Sequence, residues 1–115
     1  MTDRELLELA AKAAGIEVVG FANRLLVLPN YEGSFVIRHP RGGDVEWNPL
    51  ADDGDALRLA VKLGMNVWCD PAAVCMAEVL KTCLPRQSES AKPDPYAATR
   101  RAIVRAAAEV GKAMP

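Results

Sequence analysis

Leu6, Leu9, Ala10 and Ala13 recur at helical spacing among polar residues, and Leu7 and Ala14 widen the same apolar stripe. Ahead of them Thr2-Asp3-Arg4-Glu5 has the capping-box pattern, in which a hydroxyl and a carboxylate satisfy each other's free backbone N–H groups. Gly15 supplies a left-handed stop, so a helix is predicted over 3–14. The pattern then shortens. Residues 17–21 and 24–28 are runs rich in β-branched residues and leucine, and Ala22-Asn23 can turn a tight hairpin between them or lie within one longer bent strand. Pro29-Asn30 ends the second run, and 31–33 read as a connection. Residues 34–38 and 44–47 flank His39-Pro40-Arg41-Gly42-Gly43, a loop of turn-forming residues, and predict the clearest hairpin in the chain.

The stretch from Trp47 to Leu63, WNPLADDGDALRLAVKL, carries an aromatic anchor, a proline turn, an acidic start and a second amphipathic helix. Asp52 or Asp53 can cap that helix, and Asp55 adds negative charge where the free N–H groups and the helix dipole favour it. Ala56, Leu59, Ala60 and Leu63 form its buried stripe, and Gly64 closes it. Asn66 to Cys69 reads as a short strand followed by an Asp70-Pro71 turn. Residues 72–81 are compatible with a helix by propensity, but Val74, Cys75, Val79 and the proline turn favour a returning strand. Residues 84–93, LPRQSESAKP, lack an apolar period and read as a mobile surface loop or disordered connector. Asp94-Pro95 then caps and starts a last helix running to about Met114. Its Ala98, Ala102, Ala106, Val110 and Ala113 give a small-residue face suited to close packing, with Val104 or Arg105 between them, and Arg100, Arg101 and Arg105 fall on the exposed side.

Three helices and short hairpin connections predict an α+β fold with a small, mainly antiparallel sheet sandwiched by the helices, in one domain of 115 residues. Half the residues are hydrophobic and a quarter charged, with 14 basic against 15 acidic side chains, so no overall attraction to nucleic acid or an anionic membrane is indicated. No apolar run approaches the roughly 20 residues needed to cross a bilayer. The acidic, helical start does not resemble an export signal, and a cytoplasmic location is expected. Cys69, Cys75 and Cys83 are an odd set without a CxxC pair and read as buried or half-buried thiols, suggesting neither a disulfide framework nor a zinc site.

Three constellations carry candidate chemistry. Asp52, Asp53 and Asp55 could hold magnesium or calcium, although helix capping explains them better and the glutamate that would complete an EF-hand loop is lacking. Arg38, His39 and Arg41 share a loop with two glycines whose N–H groups could grip a phosphate, but the loop has neither nucleotide fingerprint, and a solvated hairpin tip is the simpler reading. Arg100, Arg101 and Arg105 form a basic ridge for phosphates or an acidic protein, set against a solvated face balanced by Glu109. Trp47 and Trp68 read as structural anchors, and Cys69 as a structural thiol. No catalytic residue and no cofactor is assigned.

WNPLADDGDALRLAVKLGM, the NVW after it and the terminal YAATRRAIVRAAAEVGKAM together resemble small proteins of tailed bacteriophages and prophages described as the phage ABA sandwich domain. The resemblance covers 47–114 apart from 84–93, and more loosely the first helix. It implies a sheet between helix layers, a strand over 74–80 and a phage or prophage origin in a bacterial cytoplasm, and it brings no catalytic residue, cofactor or substrate. The expectation that follows is a non-enzymatic accessory protein binding a host protein or a small anionic, nucleotide-like ligand. The alternatives are a nucleic-acid-associated regulator using the last helix and, behind it, a metal-dependent hydrolase. Unpaired sheet edges and the alanine-rich helix also suggest a homo-oligomer.

Overall fold

The computed structural model describes residues 1–22, 34–39, 41–80 and 82–115. Its elements run α1 (Asp3–Ala14), β1 (Val18–Ala22), β2 (Ser34–Arg38), β3 (Asp44–Trp47), α2 (Asp53–Leu63), β4 (Met65–Cys69), β5 (Val74–Val79), β6 (Gln87–Ser90) and α3 (Pro95–Ala113). The caps form as their residue types dictate. Thr2 and Glu5 make the reciprocal capping box, Asp52 accepts from the Asp55 N–H, Asp94 accepts from those of Tyr96 and Ala97, and Gly15 and Gly64 close α1 and α2 with φ of 67° and 63°.

The class is α+β, with antiparallel pairing and three helices. The strands are divided between two three-stranded sheets, β1-β2-β3 and β4-β5-β6, where the sequence had suggested one. The suggested hairpin partner at 24–28 lies outside the described residues. Residues 74–79 form the returning strand, with Asp70 organising the turn by accepting from the Ala72 N–H while its own backbone pairs with Val74 and Ala73.

A correction falls on 84–93, part of which is β6 rather than irregular connector. Backbone pairing with β5 defines this strand, whose polar side chains hid it from a search for apolar alternation. Gln87 is buried, and Glu89 is half-buried beneath the arginines of α3.

One apolar cluster joins all three helices through Leu6, Leu7, Ala10, Leu59, Val104 and Ala107, with Phe35 and Trp47 from the first sheet and Ala77 from the second. The buried surface of α3 is wider than the predicted stripe and also takes in Ile103 and Ala108, because the helix packs on α1 and α2 as well as on the β4-β5-β6 sheet. Cross-strand partners share a face, so Met65 and Val79, Val67 and Ala77, and Cys69 and Cys75 lie together on the side of that sheet facing α3. Trp68 and Met76 lie on the opposite side, in one row with Ser88.

Candidate binding surface

Each aspartate of the acidic stretch has a structural partner. Asp52 caps α2, with its carboxylate 2.8 Å from the Asp55 N–H. Asp53 pairs with Arg100 at 2.6 Å. Asp55 is buried, accepting from the Asn48 N–H at 2.9 Å and from Arg58 at 2.7 Å. Asn48 in turn accepts from Leu50 through its side chain and from Ala51 and Asp52 through its carbonyl, so the chain from Trp47 to Asp55 is held as one unit. Among the described residues no group of three histidine, cysteine, aspartate or glutamate side chains is arranged to hold a metal ion.

In place of the exposed side of α3 that helical spacing predicts for Arg100, Arg101 and Arg105, these arginines are partly buried and tie the helix to its neighbours. Arg100 is only 17% exposed and reaches the Leu50 carbonyl at 2.9 Å in addition to Asp53. Arg101 bridges Asp3 at 3.0 Å and Glu89 at 3.7 Å, and Arg105 pairs with Glu89 and the Ser88 carbonyl. Glu89, given no role from sequence, thus balances two of the three cations. The expected balance by Glu109 is absent from these pairs, since Glu109 bonds Lys112.

The Arg38, His39 and Arg41 loop stands apart from this network. It lies at the far end of β3 from the α2 junction, about 10 Å along the strand, so the hairpin tip and the acidic cap do not converge. Gly42 and Gly43 adopt φ of 93° and 80°, yet the Gly42 N–H already donates to the His39 carbonyl. The Arg41 N–H donates to His39 Nδ1 at 3.1 Å, and exposed Arg38 faces exposed Glu17 at 3.9 Å.

A groove of about 530 Å³ between α1 and β1 is floored by Ile16, Val18 and Phe35 and rimmed by Arg4 and Lys12. Its rim charges also have partners, Arg4 in Glu8 at 3.5 Å and Lys12 in the Met114 carbonyl at 3.1 Å. The outer side of the β4-β5-β6 sheet is better furnished for contact. Arg86 stacks over Trp68 with its guanidinium 5.6 Å from the ring centre, approaches the Met76 sulfur at 3.9 Å and lies 3.9 Å from Glu78. The sequence marks Trp68 as a structural anchor and gives Arg86 no role, because their proximity depends on β6 following β5 back across the sheet.

The cysteines require a further correction. Cys69 and Cys75 are disulfide-bonded with Cα atoms 4.0 Å apart, and Cys83 is free and exposed. The β4-β5 register sets 69 opposite 75, a relation without a spacing signature until 74–79 is known to be a strand. Alkylation of the unreduced protein is therefore expected to modify Cys83 alone by peptide mass spectrometry, and alkylation after reduction and unfolding all three. Modification of Cys69 before reduction would contradict the pairing.

Among the described residues no helix is long and apolar enough to cross a membrane. Comparison with protein-family models, with curated proteins and with solved structures gave no match to this chain, leaving its own surfaces as the basis for a functional reading.

Proposed function

We propose that the chain is a non-enzymatic phage or prophage accessory protein that acts in the bacterial cytoplasm by binding a host protein. The observation that carries the binding role is the Trp68, Met76 and Arg86 cluster on the outer side of the β4-β5-β6 sheet. Tryptophan, methionine and arginine are enriched at protein interfaces, and tryptophan and arginine among the residues that dominate binding energy. The phage assignment draws on the sequence resemblance. The Cys69–Cys75 disulfide lies on the α3-facing side of the sheet, away from this cluster, so the proposed role uses neither sulfur.

The anionic-ligand and nucleic-acid readings both relied on Arg100, Arg101 and Arg105. Their pairing with Asp53, Asp3 and Glu89 supports a structural role instead. A phosphate would have to displace carboxylates already in contact, so these readings stand behind protein binding. The metal-dependent hydrolase is weaker still, given the separate partners of Asp52, Asp53 and Asp55.

The test is affinity capture from lysogenic host cells with quantitative mass spectrometry. Trp68→Ala and Arg86→Glu are expected to reduce the captured host protein at least tenfold, while Arg41→Ala leaves it unchanged. Equal capture by all variants, or loss confined to Arg41→Ala, would move the site away from the sheet face.

A further inference from the structure

The disulfide between Cys69 and Cys75 joins two sulfurs with opposite surroundings. Cys69 is exposed and lies on β4, whose other edge has no strand partner among the described residues. Cys75 lies on the central strand β5 and is 0% exposed, packed with Ala91 and with Ala98 of α3. The two are cross-strand partners, so the bond between them runs across the strands. A thiolate opens a disulfide by attacking one sulfur along the line of the bond and expelling the other. Extended past Cys69, that line leaves the sheet at the edge of β4. Extended past Cys75, it meets β6 at Glu89.

The rest of the hairpin holds the two positions together without the sulfur bond. Four further pairs join β4 to β5, from Met65 and Val79 to Trp68 and Met76. The turn is closed by the Asp70 N–H on the Val74 carbonyl and the Ala73 N–H on the Asp70 carbonyl, both at 2.9 Å. The Pro95 carbonyl, 3.6 Å from Cys75 Sγ, is an acceptor in place for a buried thiol there. Cys83, free and exposed, follows the other end of β5, where Val79 pairs with Met65 about 13 Å along the strand from Cys69. It is badly placed to exchange with either sulfur of the pair.

We propose that Cys69 and Cys75 are a reversible thiol–disulfide couple, in which Cys69 is the sulfur that exchanges with a low-molecular-weight thiol and Cys75 the buried one that closes the bond again. A small thiolate attacks Cys69 Sγ; the bond to Cys75 breaks, and Cys75 leaves with the electron pair and takes a proton. Cys69 now carries a mixed disulfide. A second small thiolate attacks the outer sulfur of that mixed disulfide, releasing the small disulfide and leaving Cys69 reduced. The two electrons gained by the protein are those lost by the two small thiols. In reverse, the Cys69 thiolate attacks a small disulfide, and Cys75, giving up its proton, displaces the small thiol from Cys69. The couple is independent of the host-binding role, whose residues lie on the other side of the sheet.

The test treats the reduced, folded chain with oxidised glutathione, quenches with acid and maps the products by peptide mass spectrometry. In the wild-type chain glutathione is expected to remain on Cys83 alone, with Cys69 and Cys75 joined to each other. Cys75→Ser should retain glutathione on Cys69. Cys69→Ser should modify Cys75 at least tenfold more slowly than Cys75→Ser modifies Cys69. Far-ultraviolet circular dichroism should be the same before reduction, after it and after reoxidation. Should either variant fail to fold, brief alkylation of the reduced wild-type chain reads the same order, Cys69 ahead of Cys75 by at least tenfold. Equal rates at the two sulfurs, or glutathione persisting on wild-type Cys69 as it does on Cys83, overturn the proposal. So does a disulfide that reduced glutathione opens only in denaturant.

Discussion

Gly111→Ala is expected to destabilise the chain by about 3 kcal/mol, lowering the melting temperature by about 12 °C. The sign is informative, because alanine is the better helix former by about 1 kcal/mol and should stabilise a helix interior wherever space allows. At Gly111 it does not. A Cβ atom there would lie 2.8 Å from the Leu9 carbonyl carbon and 3.1 Å from its Cα, with the carbonyl oxygen nearer still. These are backbone atoms of α1, which cannot yield by rotating a side chain. Gly111 therefore sets how closely α1 and α3 approach, and the buried alanines Ala10, Ala11, Ala106 and Ala107 sustain that approach along the helices. Urea denaturation of the two proteins decides the matter, and an equal or higher midpoint for the alanine variant would show that the helices are farther apart than described.

Asp55→Ala should cost about 2 to 3 kcal/mol, because it removes the carboxylate that accepts from the buried Asn48 N–H and a charge-assisted bond from Arg58. Asp55→Asn keeps the shape and one acceptor and should lose about half as much. Both effects are expected to be the same with magnesium or calcium present and with chelator, measured by thermal unfolding. A wild-type melting temperature that rises with either ion and an Asp55→Ala variant that does not respond would restore the metal reading of Asp52, Asp53 and Asp55. Loss of stability without ion dependence identifies Asp55 as the fastening between the end of β3 and α2.

Local features were the most legible. The capping box at Thr2 and Glu5, the caps at Asp52 and Asp94 and the stops at Gly15 and Gly64 lie within a few residues of the backbone groups they satisfy. The hairpin over 34–47 was equally plain, since its turn formers are adjacent in sequence. β6 was not, because an edge strand held by backbone bonds to β5 needs no apolar alternation.

The candidate site was legible in its residue types and misread in its connections. Arg100, Arg101 and Arg105 were visible as a cluster of like charge, but the carboxylates that neutralise them stand 47, 98 and 16 residues away, on α2, α1 and β6. Trp68 was visible too, while Arg86 over its ring was not.

The amino-acid order thus determined the helices, their ends, the antiparallel hairpins and the α+β class, because capping, turn chemistry and hydrophobic period act over a few residues. Tertiary structure alone decided that the six described strands form two sheets and that the basic ridge is consumed by ion pairs. These outcomes depend on the packing of α3 against α1, α2 and β4-β5-β6 at once, a set of distances between residues far apart in the chain that no local pattern encodes.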